Sequence, residues 1–466
     1  MLFGTNGIRG IVNRELTPNF CMELAQAFGS LYGMEVAIGS DARLSSEMLK
    51  KACTAGLQSV GCDVVDLGCA PTPAIQHFVG ASPATGGLII TASHNPPEFN
   101  GLKTLGSGGI EISKDEEAKI EALYRSIAGK LSLFSVQDSI ELANWKTTGR
   151  FTAADPLRGY IDGIKRLIDA KLVKSKKLRV ALDCANGVGA ITTPLLLREL
   201  GCKVVTLNGN LDGAFPGRNA EPIGANIQDL LSFMKGGDFD LGIAHDGDAD
   251  RAVFVTEKGE FIEGDYSLAI FAREALSNTR GGSIIPTGVN TSSVLWDVAR
   301  EYGGEVKMMK VGPMAIAKEM MESDSSIGGE GNGGVIFPDF QYCRDGGMAS
   351  ARMVEIVARY GAISEVLREF PIYHMSKQKI ACPDKLKSYV VTRGVDHFRA
   401  EGIDCATIDG IKANLDNGWV LIRASGTEAI VRVEGESKDA DTVRKITSLY
   451  IDKVGDWIEE GRDGKS

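Results

Sequence analysis

A short pattern occurs three times along this chain and restricts its fold more than any other feature of the sequence. In each copy a helical stretch ends at a glycine and is followed by a run rich in β-branched residues. The copies are LQSVGCDVVDLG at 57–68, LLRELGCKVVTLNG at 196–209 and VAREYGGEVKMMKVG at 298–312. Glycine suits the residue after a helix end, and a valine-rich run suits a buried strand. The pattern therefore predicts a helix followed by a strand at three places.

A second strand with a polar turn precedes each copy. These segments are EVAIGSDARLSS at 35–46, LRVALDCANGVGA at 178–190 and GSIIPTGVNTSS at 282–293. Strand, polar turn, helix and strand make a βαβ unit, so the sequence predicts three related α/β domains. In such sheets ligands bind at the carboxyl ends of the strands, where the polar turns lie.

The C-terminal part of the chain follows a different pattern. Two strand-like segments, GWVLIRAS at 418–425 and AIVRVEGES at 429–437, flank a Gly-Thr-Glu turn, and a helix is predicted from about Asp439 to Glu459. The fold class is therefore α/β, with three related βαβ-based domains and a smaller C-terminal α+β domain. We place the domains at 1–152, 153–252, 253–368 and 369–466.

Charge and composition argue against several classes of protein. The 466 residues carry a formal net charge of −10, and lysine and arginine are spread along the chain. A nucleic-acid-binding protein needs a positive face for phosphates, so we expect no nucleic-acid partner. No segment approaches the roughly 20 apolar residues that span a bilayer, so we expect no membrane partner either.

The cysteines and the N-terminus indicate a cytoplasmic protein. The nine cysteines are scattered, no C-x-x-C occurs, and most lie in apolar stretches, which is typical of reduced, buried thiols. The first residues, MLFGTNGIRGIV, lack the charged and then apolar pattern of a signal peptide.

The first of four chemically informative loops is TASHNPPEFNGLK at 91–103. It follows the apolar run GGLII, so it leaves the end of a strand, and its prolines favour a fixed non-helical shape. One loop thus carries the hydroxyl of Ser93, the imidazole of His94 and the amine of Lys103. An ordinary proline-rich surface turn would have the same pattern.

The second loop, HDGDADR at 245–251, follows the strand-like LGIA. Carboxylates at Asp246, Asp248 and Asp250 can converge on one ion, and Mg²⁺ prefers such oxygen ligands. Arg251 adds a positive fork beside them. The EF-hand pattern fails because the glycine and glutamate positions do not match. Since three close aspartates repel one another without a cation, we prefer a metal site to a plain acidic turn.

The third and fourth loops are suited to a sugar and a phosphate. GGEGNGG at 328–334 offers Glu330 and Asn332 as partners for sugar hydroxyls, although a glycine-rich linker would look the same. RASGTEAIVR at 423–432 offers two guanidiniums, hydroxyls and backbone N–H groups that could hold a phosphate dianion, although a hairpin turn with surface arginines is the alternative.

These four motifs, in this order, resemble the α-D-phosphohexomutase superfamily, which includes phosphomannomutase, phosphoglucomutase and phosphoglucosamine mutase. The resemblance covers nearly the whole chain, from FGTNGIRG at 3–10 to beyond the fourth loop. It implies four domains around a central cleft. It also implies an isomerase that moves phosphate between the 1- and 6-positions of a sugar phosphate by way of a phosphoserine and a bisphosphorylated sugar.

The resemblance also implies the roles of single residues. Ser93 would be the phosphoserine, and it would bind Mg²⁺ together with Asp246, Asp248 and Asp250. Lys103 would be the general acid/base, with Arg9, His94 and Arg251 in the catalytic group. The phosphate-binding loop would comprise Arg423, Ser425, Gly426, Thr427 and Arg432. A bisphosphate such as glucose 1,6-bisphosphate is the expected activator, because it can phosphorylate the serine.

Two positions depart from the family. Many relatives have a histidine at the end of the sugar loop, where this chain has Gly334, and we consider His94 as a substitute or as a structural residue of its own loop. Pro313 stands where relatives have a polar residue that discriminates between sugars, and Lys310 is a candidate replacement.

The motifs are closest to phosphoglucosamine mutase and archaeal-type relatives. The alternatives are a phosphopentomutase, a phosphatase with an aspartate nucleophile, and a non-catalytic protein that binds sugar phosphates.

Overall fold

The computed structural model describes residues 2–4, 6–128, 140–277, 282–426, 428–462 and 464. The chain divides into two compact units. The first comprises Met1–Ser267 and Asn332–Val366, and the second comprises Leu268–Gly331 and Leu367–Ser466.

Strands and helices alternate through the first part of the chain. In order they are β1 Ile8–Ile11, α1 Pro18–Tyr32, β2 Glu35–Ser40, α2 Ser46–Ser59, β3 Asp63–Cys69, α3 Thr72–Ala81, β4 Gly86–Ile90, β5 Phe99–Gly106, α4 Lys114–Ile127, β6 Phe151–Ala153, α5 Leu157–Arg166, α6 Ala170–Lys176, β7 Arg179–Asp183, α7 Gly189–Glu199, β8 Lys203–Leu207, α8 Gln228–Gly236, β9 Leu241–His245, β10 Ala252–Val255 and β11 Phe261–Ile262.

The remaining elements follow in the same order along the chain. They are α9 Gly264–Ser277, β12 Ile284–Gly288, α10 Val294–Glu301, β13 Glu305–Met309, α11 Pro313–Ser323, β14 Gly328–Glu330, β15 Gly334–Phe337, β16 Gln341–Arg344, α12 Gly346–Tyr360, α13 Ile363–Leu367, β17 His374–Ala381, α14 Asp384–Ala400, β18 Cys405–Ala406, β19 Ile411–Leu415, β20 Gly418–Ala424, β21 Ile430–Ser437 and α15 Ala440–Arg462.

Two mixed sheets organise the first unit. One has the strand order β1-β5-β4-β2-β3-β6, and the other has the order β11-β10-β9-β7-β8. The central strands β4 and β9 are buried along their whole length, as expected for strands covered on both faces. The loops after β4 and β9 carry Ser93 and the three aspartates, so both follow the carboxyl end of a central strand. The unit also contains the antiparallel pair of β15 and β16.

The second unit contains two groups of paired strands. β12 pairs in parallel with β13 and with β14. The other group is a five-stranded sheet with the order β17-β21-β20-β19-β18, in which all neighbouring strands are antiparallel. Helices α14 and α15 cover this sheet and enclose a core that includes Val390, Phe398, Ile422, Val433 and Trp457. This is the predicted α+β part of the chain.

The predicted repeat is confirmed in all three copies. The strand pairs β2–β3, β7–β8 and β12–β13 are parallel, and a helix connects the two strands of each pair. Gly61, Gly201 and Gly303 follow the helix ends with φ of +87°, +100° and +73°. These are left-handed conformations that glycine adopts without the steric cost of a side chain. The glycine in each copy therefore ends the helix for the physical reason predicted.

The fold class predicted from the sequence is confirmed, whereas the four domain boundaries stay predictions.

All nine cysteines are free thiols, and seven are buried, while Cys69 is exposed and Cys405 is half-buried. Within the described part of the chain, no helix is both long enough and apolar enough to cross a membrane.

Candidate active site

A buried arginine shapes the loop that carries Ser93. The five N–H groups of Arg43 have five acceptors: Nε donates to Asp41 Oδ2 at 3.1 Å, and the two Nη atoms donate to four carbonyl oxygens. Those carbonyls belong to Ser93, Asn95, Pro96 and Phe99, at 2.6–2.9 Å. A guanidinium is always charged and has five donors in a fixed fork. It therefore fixes the loop through its main chain.

Ser93 itself has an uncommon backbone conformation. Its φ of +51° lies in the left-handed region, which few non-glycine residues adopt. The Ser93 N–H donates to Thr91 Oγ1 at 2.9 Å, and the Thr91 hydroxyl donates to Asp41 Oδ2 at 2.7 Å. The conformation of Ser93 is thus held by Arg43 on its carbonyl side and by Thr91 on its amide side.

Ser93 lies against the loop of three aspartates. Its hydroxyl donates to Asp246 Oδ2 at 2.9 Å, and both side chains are buried. The main chains also approach closely, because a Cβ added to Gly247 would lie 2.6 Å from the carbonyl oxygen of Ser93. Glycine is therefore required between Asp246 and Asp248 for the two loops to meet.

The three aspartates fit a hard divalent cation. One carboxylate oxygen from each of Asp246, Asp248 and Asp250 lies within 4.8 Å of the others, and all three residues are buried. In the described residues, Oδ1 of Asp248 and Oδ1 of Asp250 have no hydrogen-bond partner. Buried carboxylate oxygens are costly without a partner, and oxygen ligands are those that Mg²⁺ prefers.

Lys103 lies beside the aspartates and is fully buried. Its Nζ donates to Asp248 Oδ2 at 2.9 Å and to Asp250 Oδ2 at 3.0 Å. Burial lowers the pKa of Lys103, but the charges of Asp248 and Asp250 outweigh burial, so the pKa lies above its ordinary value. The amine is therefore a cation in this arrangement.

Asp246 and Asp250 have opposite pKa shifts, although they lie on one loop. Burial, Asp250 and Asp248 raise the pKa of Asp246 well above its usual range, because its positive neighbour Arg251 is too weak to compensate. Burial also acts on Asp250, but Arg344 and Lys103 outweigh it and hold the pKa well below its usual range. Repulsion among the three carboxylates is thus least compensated at Asp246, next to Ser93, where a bound cation would favour the ionised form.

The other predicted catalytic residues surround Ser93. His94 Nδ1 lies 3.3 Å from Ser93 Oγ, and Arg251, burial and Arg9 lower the pKa of His94, which keeps its imidazole neutral. Arg9 donates from Nη1 to Asn95 Oδ1 at 2.6 Å. Arg251 Nε lies 3.9 Å from Asp246 Oδ2, which is too long for a hydrogen bond. The structure brings Ser93 together with all four basic residues predicted from the sequence.

The residues predicted to bind the sugar lie on separate segments. In the second unit Glu330 is buried, and its Oε1 accepts from the Gly312 N–H at 3.1 Å, while Lys310 is exposed. Asn332, in the first unit, is exposed and its Oδ1 accepts from the Gly334 N–H at 3.0 Å. Pro313 begins α11, a position for which its fixed φ is suited.

The predicted phosphate-binding residues lie at one hairpin of the second unit. Arg423 on β20 and Arg432 on β21 are directly opposite each other, and like charges in such cross-strand pairs repel. Ser425 is buried and its Oγ accepts from the Glu428 N–H at 3.1 Å, while Gly426 is exposed. Thr427 lies outside the described residues.

Four family models match successive parts of the chain. Their descriptions are phosphoglucomutase/phosphomannomutase, alpha/beta/alpha domain I at residues 1–130, domain II at 158–259 and domain III at 263–373, and the C-terminal domain at 378–449. A phosphoglucomutase/phosphomannomutase of Thermococcus kodakarensis is 43% identical over 97% of this chain and 97% of its own length. The chain belongs to the phosphoglucomutase/phosphomannomutase family. It is therefore a phosphohexomutase, an isomerase that moves phosphate within one sugar phosphate, and its place in the α-D-phosphohexomutase superfamily is confirmed.

Other relatives and solved structures agree with this assignment of the mutase. A phosphoglucosamine/phosphogalactosamine mutase of Sulfurisphaera tokodaii is 36% identical over 96% of this chain and 97% of its own length. The crystal structure of a phosphoglucomutase/phosphomannomutase family protein from Burkholderia thailandensis has a TM-score of 0.85 and 28% identity, and the match covers 98% of this chain and 97% of that one.

Sequence reasoning missed one buried arginine that contacts the loop of three aspartates. Arg344 Nη2 donates to Asp250 Oδ2 at 2.6 Å, and the arginine is buried. With the amide of Asn6 assigned so that its nitrogen faces Glu111, Asn6 Oδ1 lies 3.0 Å from the same Nη2. Arg344 follows no glycine-rich or acidic motif, so only the folded arrangement identifies it.

Two further residues of the mutase support the hairpin that carries Arg423 and Arg432. Lys387 Nζ donates to the carbonyl oxygens of Ser425 and Glu428, both at 2.6 Å. Asp409 Oδ2 accepts from the Val311 N–H at 3.1 Å and from Arg423 Nη1 at 3.4 Å. Lys387 acts on main-chain carbonyls, which carry no side-chain signal that a sequence could reveal.

Proposed function

We propose that the mutase interconverts the 1-phosphate and the 6-phosphate of a hexose or hexosamine through phospho-Ser93. The observation that carries this proposal is the buried contact of 2.9 Å between Ser93 Oγ and Asp246 Oδ2, within a cluster of three aspartates. A hydroxyl held in a strained loop and surrounded by cations is suited to accept and release a phosphoryl group.

The reaction takes two transfers that mirror each other. In the first, a sugar hydroxyl oxygen forms a bond to the phosphorus while the bond between that phosphorus and Ser93 Oγ breaks. The hydroxyl proton leaves to a base, the released Ser93 Oγ takes up a proton, and the product is a bisphosphorylated sugar. The sugar then turns, and its other phosphoryl group passes to Ser93 Oγ, which gives up its proton, while the sugar oxygen that is released takes up a proton. The enzyme is phosphorylated again and the phosphate has moved.

The protein supplies charge and proton transfer for these steps. Lys103 is the proposed acid/base, and because its pKa is raised it enters the cycle as an acid. Arg251 and Arg9 are the proposed partners of the phosphoryl oxygens. Neutral His94 lies beside the serine that has lost its phosphate, with its Nδ1 3.3 Å from Ser93 Oγ.

Asp246, Asp248, Asp250 and an oxygen on Ser93 are the proposed ligands of Mg²⁺. When bound, Mg²⁺ would supply positive charge that neutralises the phosphoryl oxygens. The support for this assignment is that Asp248 Oδ1 and Asp250 Oδ1 are buried without a hydrogen-bond partner among the described residues, and that one oxygen of each aspartate can share an ion.

The hairpin of Arg423 and Arg432 is proposed to bind the phosphate that is not transferred. Arg423 and Arg432 occupy directly opposite positions of two paired strands, so they bring two cationic side chains to one hairpin, where each also has a carboxylate neighbour, Asp409 and Glu428. Ser425 and Gly426 add a hydroxyl and a backbone N–H for a phosphate dianion. Lys310, Glu330 and Asn332 are the proposed partners of the sugar hydroxyls, and Thr427 remains a proposed phosphate ligand.

The names of the relatives favour a hexose or hexosamine substrate over a pentose. Two of them are named phosphoglucomutase/phosphomannomutase and phosphoglucosamine/phosphogalactosamine mutase, so one family scaffold serves both sugar types. The family assignment likewise does not favour a non-catalytic protein that only binds sugar phosphates.

The test uses the full-length protein with Mg²⁺ and a trace of glucose 1,6-bisphosphate, the proposed activator. The 1-phosphates of glucosamine, mannose, glucose and ribose are added separately, and phosphorus NMR follows conversion. We expect conversion of at least one of the three six-carbon sugars, with phosphate on Ser93 detected by mass spectrometry. Preferred conversion of ribose 1-phosphate, or turnover without phosphate on Ser93, would contradict the proposal.

A further inference from the structure

The contact between Arg344 and Asp250 has no part in the function proposed above. Arg344 ends β16, its side chain is 5% exposed, and its Nη2 lies 2.6 Å from Asp250 Oδ2. An arginine buried to this degree needs a partner of opposite charge, and Asp250 is that partner. The pair joins β16 to the loop of three aspartates.

The segment that follows Arg344 is firmly held. Asp345 Oδ1 accepts from the Met348 N–H at 2.8 Å and caps α12, and the Tyr160 hydroxyl donates to the same oxygen at 2.5 Å. The Gly346 N–H donates to the carbonyl oxygen of Ala249, within the aspartate loop, at 3.2 Å. The backbone that carries Arg344 and the loop that carries Asp250 are therefore fixed relative to each other.

Arg344 also fills the space beside Gly334. A Cβ added to Gly334 would lie 3.1 Å from Asn332 Oδ1, a contact that a shift of a few tenths of an ångström relieves, but it would lie 2.3 Å from Arg344 Cδ and 3.2 Å from Arg344 Cγ. These Arg344 atoms are in the middle of the side chain, and its far end is anchored to Asp250. A side chain at position 334 would therefore displace the guanidinium from its carboxylate.

The two oxygens of Asp250 have different surroundings. Oδ2 accepts from Lys103 and from Arg344, whereas Oδ1 has no hydrogen-bond partner among the described residues and lies 3.8 Å from Arg251 Nε. Two donors on one oxygen fix the rotation of the carboxylate group, as hydrogen bonds to metal-ligating carboxylates commonly do.

We propose that Arg344 is a positioning residue that holds Asp250 by Oδ2 and thereby presents Oδ1 to a divalent cation. This inference rests on the proposed metal site. It predicts whether removal of Arg344 strengthens or weakens the binding of the cation. Arg344 is positive, so if it acted only through its charge, its removal would strengthen the binding of a cation. If it positions Asp250, its removal weakens that binding.

The test measures binding of Mn²⁺, a paramagnetic substitute for Mg²⁺, to the full-length protein by electron paramagnetic resonance. We expect Arg344→Gln to weaken Mn²⁺ binding about tenfold, the scale known for residues that orient metal ligands. Arg344→Lys keeps a positive donor and should recover part of the loss. Arg352→Gln is the matched control, because Arg352 pairs with the exposed Asp339 at 2.5 Å. Unchanged or tighter binding in Arg344→Gln would overturn the proposal.

A second pair of variants keeps the proposal testable if Arg344→Gln does not fold. Gly334→Ala should weaken Mn²⁺ binding by displacing Arg344 while leaving it in the sequence. In the Arg344→Ala background the same change should have no further effect, because the side chain that it displaces is already gone. Losses that simply add would show that the two positions act independently, contrary to the proposal.

Failure of the proposed metal site would give a different result. If Asp248→Asn leaves Mn²⁺ binding unchanged, the ion does not bind at the aspartates, and the role of Arg344 fails together with the site. If Asp248→Asn abolishes binding while both Arg344 variants bind normally, the site stands and only the role of Arg344 is wrong.

Discussion

Ser93 Oγ and Asp246 Oδ2 are 2.9 Å apart although 153 positions separate them in the sequence. The contact joins the loop after β4 to the loop after β9, each following the carboxyl end of a central strand. Parallel-sheet domains bind ligands at this edge. Here two such edges meet within the first unit, and their meeting places a hydroxyl on a cluster of carboxylates.

We expect Ser93→Ala to abolish turnover, because the variant has no oxygen to carry the phosphoryl group. Turnover is measured with a sugar 1-phosphate and activator, and phosphate on the protein by mass spectrometry. Ser175→Ala is the control, since that hydroxyl is exposed and donates to a carbonyl of its own helix. Substantial activity in Ser93→Ala would mean that another group carries the phosphate.

We expect Lys103→Met to destabilise the protein by about 3–5 kcal/mol, because it removes the buried cation that pairs with Asp248 and one of the cations that pair with Asp250. Added Mg²⁺ should restore part of the loss. Urea denaturation with and without Mg²⁺ measures both effects, with the exposed Lys119→Met as the control. Equal stability of Lys103→Met and the unmodified protein would show that the ion pairs contribute no net stability.

We expect Lys387→Met to raise the KM for the sugar phosphate about tenfold, which corresponds to about 1.4 kcal/mol. The substitution removes two charge-assisted hydrogen bonds to carbonyl oxygens of the hairpin that is proposed to bind phosphate. Lys385→Met is the matched control, because it removes the same charge from an exposed position of the same helix. A similar change in KM for both variants would point to long-range charge instead of loop support.

The pH dependence of stability should include a contribution from Asp345. Burial raises the pKa of Asp345 from 3.8 to about 6. A carboxyl group whose pKa is raised on folding favours the folded state most below its unfolded pKa, and this contribution is lost as pH rises through about 6. The full loss is of order 3 kcal/mol.

Asp345→Asn tests this dependence. Asparagine can cap α12 as aspartate does, but it cannot ionise, so the fall in stability between about pH 4 and 6 should become shallower. Urea denaturation across this range is the measurement, with the exposed Asp339→Asn as the control. An identical pH profile for Asp345→Asn and the unmodified protein would contradict the assignment.

The features predicted correctly from the sequence are those with a local cause. Gly61, Gly201 and Gly303 end helices because of their own backbone freedom, and the valine-rich runs after them form strands because of their own side chains. The role of Ser93 as the phosphoserine came from the resemblance to a family, whereas the metal site was predicted from the repulsion among the three aspartates. Both stay predictions, although the structure brings these residues together.

The residues that sequence reasoning missed act through partners distant in the chain. Arg344 depends on Asp250, and Lys387 depends on two carbonyl oxygens of a hairpin. Neither contact produces a periodic pattern or a fixed residue spacing in the sequence. The resemblance marked position 334 as a departure from the family, and the structure adds that Arg344 Cδ lies where a side chain at this position would begin.

Because Arg43 holds the Ser93 loop through its main chain, the loop sequence alone is not expected to adopt this conformation in another protein. Arg43, which binds four carbonyl oxygens of the loop, lies fifty positions before Ser93. The segment TASHNP therefore supplies the reactive side chains but does not by itself fix the loop conformation. A designer who grafts this loop onto another scaffold must also transfer a buried guanidinium and Asp41. A search for such enzymes in new sequences would likewise gain selectivity by requiring the arginine together with the loop.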